Sequence, residues 1–422
     1  MKNTIEYLDA LSTMTGMMTR SAALELFTLI AYLVKENGEE SKNILLSTHD
    51  NISTFISDFV AEKEFHWFSK DVIRWNANQL VNIVQVFLSL REECSNNQNY
   101  GEKAFEVLKA FALNSNKNGD MFNIDSQNIL NIFTSIIGSV EDKTLYDGAC
   151  GLGLLAHELN TQKPILRDIN EATVGVTKLL FALSEKEADI QRADSLSEGS
   201  SSYGVDLVVS TPPVNMRVLE SLVAGQNYLK ELFITARIPT SASESLWIQQ
   251  ALYNLNAHGK AYLQIIPGWL FRGGYDAELR EKIVQLNWVE AVVLLPAGIL
   301  TDSNIEMSLL ILNKAKAKDK DTIRMVDARG LGERQRRKLH LSLNDAQKIK
   351  ELLTVDQENE WSKDVTIQQV KANKYSLHCK EYFDVHIEVE QLDLEHELAV
   401  LQEKQRQYLS VKDEFNQLLN NI

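Results

Sequence analysis

The segment that most restricts the fold is Leu145-Tyr146-Asp147-Gly148-Ala149-Cys150-Gly151-Leu152-Gly153-Leu154-Leu155, in which a short β-type run ends in Asp and passes through a Gly-x-Gly turn into a helix. A strand, a glycine turn and a helix in that order let a ligand approach the backbone closely. Gly151 and Gly153 remove side chains that would block a nucleotide-like ligand, and the amides at a helix start can receive a carboxylate or another anionic group. A purely structural turn in an α/β domain reads the same way. Two further acids follow at the intervals of successive strand ends, Asp168 after Ile165-Leu166-Arg167 and Asp194 in Gln191-Arg192-Ala193-Asp194-Ser195. One carboxylate can accept from both hydroxyls of a ribose and another from an exocyclic amine, so Asp147, Asp168 and Asp194 as a set carry the chemistry that an adenosyl ligand needs. Each acid taken singly also reads as a solvated loop residue or a helix cap.

The flanking texture agrees with strands alternating with helices. Apolar runs at 144–146, 164–166, 207–210, 261–266, 291–295 and Ser308–Asn313 predict strands of a mainly parallel sheet, with Thr322–Asp327 as a further candidate. The unbroken Ala291-Val292-Val293-Leu294-Leu295 suits a strand buried on both faces. All six prolines lie between Pro164 and Pro296, so the first 163 residues are free of the strongest helix breaker. Apolar residues at three- and four-residue spacing over 22–34, 80–90 and 105–113 predict a helical amino-terminal domain, closed by the polar run Asn114-Ser115-Asn116-Lys117-Asn118-Gly119-Asp120. From about Leu339 helical spacing returns, and Leu394, Leu398, Leu401, Tyr408, Phe415 and Leu419 recur at heptad-like intervals interrupted by Gln405 and Lys412. Such a helix packs on its own body or docks a partner's helix. The expected divisions are residues 1–118, 119–345 and 346–422.

Composition removes several classes of function. With 43 Lys+Arg against 58 Asp+Glu and a formal charge of −15, the chain is not a basic nucleic-acid arm. One basic cluster, Arg334-Gln335-Arg336-Arg337-Lys338, reads equally as a set of phosphate contacts or as a solvated loop. Cys94, Cys150 and Cys379 lie far apart, and His157 and His258 have no metal-spaced companions, so no metal site is expected and a reducing, cytoplasmic setting fits. The first residues have no apolar signal core, and no stretch approaches the roughly 18 apolar residues of a membrane span.

The segment Val205-Asp206-Leu207-Val208-Val209-Ser210-Thr211-Pro212-Pro213-Val214 makes a family resemblance specific. The chain resembles the methylation subunit of type I restriction-modification systems, within the adenine-N6 DNA methyltransferases. In that family Asp-Pro-Ala-Cys-Gly-x-Gly binds S-adenosylmethionine, an acid in Glu-Ile-Asn grips the ribose, and Asn-Pro-Pro-Phe performs catalysis. The matching positions are Asp147-Gly148-Ala149-Cys150-Gly151-Leu152-Gly153, Asp168-Ile169-Asn170 and Thr211-Pro212-Pro213-Val214. The likeness runs on through Ser245-Leu246-Trp247-Ile248-Gln249-Gln250-Ala251-Leu252, Leu270-Phe271-Arg272-Gly273-Gly274 and Ala372-Asn373-Lys374-Tyr375-Ser376, covering about residues 105–380.

The resemblance implies a Rossmann-like α/β methyltransferase fold between an amino-terminal helical domain and a carboxy-terminal helical tail that docks a partner. It implies that Asp147, Ala149, Cys150, Gly151, Gly153, Asp168 and Asp194 hold S-adenosylmethionine, with Phe122 of Phe122-Asn123-Ile124 standing where the family has an aromatic-Thr-Pro segment over the methionine end. It assigns catalysis to Thr211, Pro212, Pro213 and Val214, on an adenine flipped out of DNA. The partners implied are DNA, a specificity subunit and, beyond it, a restriction subunit. The weightier departures fall on the catalytic side, where Thr211 replaces the Asn that orients the adenine amine and Val214 replaces the ring that stacks on the base; in the cofactor motif Gly148 replaces Pro, a milder change. Lost stacking alone forfeits about 1–3 kcal/mol. A methyltransferase-fold scaffold that has lost transfer but still assembles with a partner is the alternative that these departures favour.

Overall fold

In the computed structural model, which describes residues 4–15, 19–47, 51–68, 77–114, 126–199, 201–300, 303–335, 338–355, 358–383 and 394–420, the proline-free stretch opens as helix after helix. These are α1 (Thr4–Met14), α2 (Arg20–Ser47), α3 (Asn51–Glu62), α4 (Ala77–Glu92), α5 (Asn97–Leu113) and α6 (Gln127–Ile137). Side-chain caps start three of them: Thr19 accepts from the Ala22 amide at α2, Asn96 from the Asn99 amide at α5, and Ser126 from the Ile129 amide at α6. Alternation then sets in, with β1 (Leu145–Asp147), α7 (Leu154–Glu158), β2 (Ile165–Asp168), α8 (Glu171–Leu183), β3 (Asp189–Arg192) and β4 (Val205–Ser210). Two short helices, α9 (Glu220–Val223) and α10 (Tyr228–Glu231), lead to α11 (Glu244–Asn254), β5 (Leu255–Ile265), α12 (Tyr275–Gln285) and β6 (Val289–Leu294). The body closes with β7 (Ser308–Asn313), β8 (Thr322–Asp327), β9 (Glu333–Gln335), β10 (Lys338–His340), α13 (Leu343–Thr354), β11 (Ser362–Thr366) and α14 (Ile367–Ala372).

Nine strands form one sheet in the order β11-β8-β6-β7-β5-β4-β1-β2-β3, and β9 and β10 pair separately as a hairpin. The run β5-β4-β1-β2-β3 is parallel, as the apolar strand pattern predicts. β7 departs from that pattern, lying antiparallel to both β5 and β6, and β11 is antiparallel to β8. Every residue of β7 is buried, so its sequence carries no sign of its direction.

All seven strands expected from apolar runs are present, and the first half of β5, from Leu255, is an extension beyond the expected start at 261. Within the nine-stranded sheet the strands with no apolar run, β3 and β11, are its two edges, where one flank faces no neighbour and polar side chains suffice.

The helical amino-terminal segments share one apolar core with the sheet-covering helices, from Leu24, Phe27 and Ile30 of α2 to Leu179, Leu180 and Leu183 of α8. Lys35 fixes that junction, its buried ammonium donating to the carbonyls of Ala182 and Leu183 at 2.9 and 3.0 Å. The division expected at 345/346 falls inside α13, and β11 beyond it belongs to the sheet. The compact unit therefore runs from Met1 to Tyr382; a second unit, Phe383–Ile422, contains helix α15 (Leu394–Asn420). Among the described residues no helix is long and apolar enough to cross a membrane.

Candidate active site

The chain runs β1, β2, β3 outward on one side and returns as β4 on the other side of β1, so the switch point of the sheet lies between β1 and β4. Ligands of open α/β sheets bind outside the carboxyl ends of strands at such a point. Asp147 ends β1, Asp168 ends β2, Asp194 follows β3 by two residues, and Thr211 directly follows β4.

Asp147 is only 3% exposed. Its Oδ1 accepts from the Ala149 amide at 3.0 Å and from Ser210 Oγ at 2.7 Å, which joins the ends of β1 and β4 across the switch point. The glycine loop beyond it is tied on both sides: Cys150 N donates to Arg167 O at 2.9 Å, Gly153 N to Cys150 O at 2.8 Å, and Thr177 Oγ1 to Gly151 O at 2.9 Å. Gly153 has φ +66°, and a Cβ there would lie 2.9 Å from the Phe181 ring, so both backbone and space require glycine. Burial pushes the Cys150 thiol up, which makes it an inert packing residue.

Asp168 is half-buried and accepts from the amides of Asn170 at 2.8 Å and Gly151 at 3.0 Å. Burial holds its carboxyl above the usual value, a rise that those two amides offset in part. A carboxylate has about four lone-pair positions, so Asp168 retains capacity for a ligand's hydroxyls. Asp194 accepts from the Leu196 amide at 3.1 Å and from Ser197 Oγ. A cavity of about 490 Å³ opens between these acids and an apolar wall, lined by Ala149, Asp168, Ile169, Asp194, Pro213, Met216, Leu219, Leu222 and Trp247 among others. Its size and its few polar groups on an apolar lining suit a nucleoside-sized molecule, and the side chains fit an adenosyl group: carboxylates to accept from hydroxyls and an amine, apolar side chains for the base.

Of the residues expected from sequence, Ala149, Asp168, Asp194 and Pro213 come together on this cavity. Asp147, Cys150, Gly151 and Gly153 shape the loop beneath it. Thr211 and Pro212 are buried at the end of β4, and Val214 is half-buried and packs against the main apolar core. Phe122 lies outside the described residues, as do Arg336 and Arg337 of the basic cluster, while Arg334 sits exposed on β9 and donates to Ala297 O at 3.1 Å. His157 is a packing residue, stacked on Phe105 at 3.8 Å with Nε2 3.0 Å from Ser184 Oγ; burial, with Lys186 and Lys109 nearby, drives its pKa down to about 3. His258 is exposed on β5.

Several contributors are invisible to motif reading. Gln250 Nε2 donates to Tyr146 Oη at 2.5 Å, Tyr146 Oη to Ser195 Oγ at 3.2 Å, and Ser195 Oγ to Gly148 O at 2.7 Å. A Cβ on Gly148 would lie 2.8 Å from that tyrosine oxygen. The Tyr146 hydroxyl thus fills the space that a proline at position 148 would enter, which gives the Gly148 departure a packing cause.

The N-6 DNA methylase family model matches residues 101–391. The chain belongs to that family. Its sequence is 26% identical over 337 residues to the methylase subunit of the type I restriction enzyme MpnII of Mycoplasma pneumoniae, covering 73% of this chain and 61% of that protein. It is 25% identical over 331 residues to the MjaVII methylase subunit of Methanocaldococcus jannaschii, covering 73% and 57%. The chain thus spans less than two-thirds of the length of these relatives. In three dimensions it shares the fold of the methyltransferase subunit of a type I restriction-modification system from Streptococcus thermophilus, with a TM-score of 0.69, 15% identity, and coverage of 90% of this chain and 100% of that one. A chain solved in a study of complex assembly in a type I system matches with a TM-score of 0.64 at 16% identity, covering 99% and 98%.

Proposed function

We propose that this chain is a type I-like modification subunit, which binds S-adenosylmethionine in the cavity at the ends of β1 to β3 and, with a specificity partner, acts on adenine N6 in DNA. The observation that carries the reading is the convergence of Ala149, Asp168, Asp194 and Pro213 on one cavity at the switch point of the sheet. In this reading Asp168 accepts from the ribose hydroxyls, Asp194 from the adenine amine of the cofactor, and the apolar wall with Trp247 covers its base. The cofactor would supply the methyl group. On the substrate side the Thr211 hydroxyl and the Pro212 carbonyl accept the two protons of a flipped adenine's amine and so aim its lone pair.

A second reading, a scaffold without transfer, is favoured by Thr211 and by Val214, whose side chain packs on the core and offers no ring to the base. Turnover with labelled cofactor, DNA and the specificity partner decides between the two. We expect very slow transfer, raised about tenfold or more in a Thr211→Asn plus Val214→Phe variant that restores acceptor and ring. Wild-type turnover on the order of 1 per second would overturn the impaired site; no turnover in either protein would support the scaffold.

Partner docking is assigned to α15, whose Leu398, Leu401, Tyr408, Leu409 and Val411 are exposed. A chain ending at Tyr382 is expected to fold and to lose co-purification with the specificity subunit. Retained assembly would move the docking surface elsewhere.

A further inference from the structure

Three side chains of helix α11, at three-residue intervals, reach three parts of the candidate site. Glu244, its first residue and 3% exposed, accepts at Oε1 from the Asn215 amide at 2.8 Å. Trp247 lines the cavity together with Pro213. Gln250 donates to the hydroxyl of Tyr146, in the strand that ends at Asp147.

The Asn215 contact has weight because of where it falls. Pro212 and Pro213 have no N–H to donate, and Asn215 sits at φ +51°, in the left-handed region. The second oxygen of Glu244 accepts from Arg272 Nη2 at 2.8 Å, and Arg272 Nε lies 2.8 Å from Asp276 Oδ2. Asp276, itself 4% exposed, accepts from Ser245 Oγ at 2.5 Å, and that hydroxyl accepts from Trp269 Nε1 at 2.8 Å. Arg280 closes the network by donating to the carbonyls of Trp269 and Arg272 at 2.5 and 2.6 Å. Well-packed apolar residues would hold the same elements together without the cost of desolvating charges. Two buried carboxylates, the buried Arg280 and the half-buried Arg272 thus fix the geometry of these elements at a cost that apolar packing would avoid.

We infer that Glu244 is a positioning residue: through the Asn215 amide it sets the turn that carries Thr211 and Pro213, so that α11 couples that turn to the cavity it helps to line. The coupling to the cavity rests on the proposed cofactor reading; the hold on the turn does not. Hydrogen exchange followed by mass spectrometry on the full chain, with calorimetry of S-adenosylhomocysteine, tests both. In Glu244→Ala the peptide over residues 213–219 should exchange about tenfold faster, peptides over 145–168 should keep their rates, and S-adenosylhomocysteine should bind at least about threefold more weakly. Glu244→Gln keeps an acceptor at the same reach and should recover most of the protection. Should the alanine variant not fold, Glu244→Asp keeps the charge for Arg272 but falls short of Asn215, and should still accelerate the turn. An unchanged turn in the alanine or aspartate variant, or equal acceleration over 145–168, overturns the positioning role. If Asp168→Ala weakens binding and Glu244→Ala does not, the coupling is overturned. If neither weakens it while the turn responds, the cofactor reading fails and the positioning role stands.

Discussion

The acids at the ends of β2 and β3 and the turn at the end of β4 border one cavity but are held in opposite ways. Asp168 and Asp194 are satisfied almost within their own loops, by the amides of Asn170 and Leu196 two residues on and by the Ser197 hydroxyl three residues on, with one amide from Gly151. The turn after β4 is held by distant partners: Asn215 by Glu244, 29 residues away, and Glu244 by Arg272, a further 28. Local anchors form as soon as a strand end is in place. Long-range anchors exist only once the sheet and α11 have docked, and removing one leaves other buried groups unpaired.

The strongest way to break this contrast is Arg280→Ala. Arg280 is buried and donates to the carbonyls of Trp269, Arg272 and Tyr375, and its loss strips three carbonyls of that donor and leaves Asp276 with Arg272 as its one paired cation among the described residues. We expect a loss of about 3–5 kcal/mol in urea unfolding; a loss under about 1 kcal/mol would show that the long-range side is no more demanding than the local one.

Acid titration sharpens the contrast, because His157 on α7 is a long-range packed group on the otherwise local side. Its folded pKa of about 3 lies below the usual value of 6.5, so below pH 6.5 the unfolded chain binds a proton that the folded chain refuses. Stability should therefore fall as pH drops from about 6.5 towards 3, by on the order of 3 kcal/mol. His157→Gln should flatten that part of the profile, and an unchanged slope would place the acid sensitivity elsewhere.

Asp168→Ala should have the smallest effect on the fold, on the order of 1 kcal/mol, since one of the two amides it releases, that of Asn170, lies beside an open cavity. Its effect should appear in ligand binding, as a tenfold or greater loss of S-adenosylhomocysteine affinity by calorimetry. Destabilisation as large as that of Arg280→Ala would erase the distinction between the two sides.

The local side is the side that sequence reading reached. Asp147, Gly151, Gly153 and Asp168 stand at or just beyond the ends of strands marked by apolar runs, and Asp194 two residues beyond the edge strand β3; the three acids bind groups two or three residues on, to which Asp147 adds the Ser210 hydroxyl and Asp168 the Gly151 amide. The buried strands were legible from their apolar runs: residues 291–294 of β6 and 309–312 of β7 are unbroken apolar stretches because both faces are covered. β3 and β11 were not, because an edge strand such as Ser362-Lys363-Asp364-Val365-Thr366 has little apolar surface to bury and takes its conformation from the neighbour it pairs with. Nor was the direction of β7, which depends on where the chain re-enters the sheet.

By itself, then, the sequence determined the α/β alternation, the glycine loop and the order of acids along it, because each is encoded in local periodicity and in the conformational demands of single residues. Tertiary structure alone decided that Val214 packs on the core, that the Tyr146 hydroxyl occupies the space above Gly148, and that Glu244 meets the Asn215 amide. The first and the last join segments far apart in the chain, and the Tyr146 hydroxyl is hydrogen-bonded to Gln250 and Ser195, 104 and 49 residues on; side-chain pairing at such separations leaves no periodic trace in the chain.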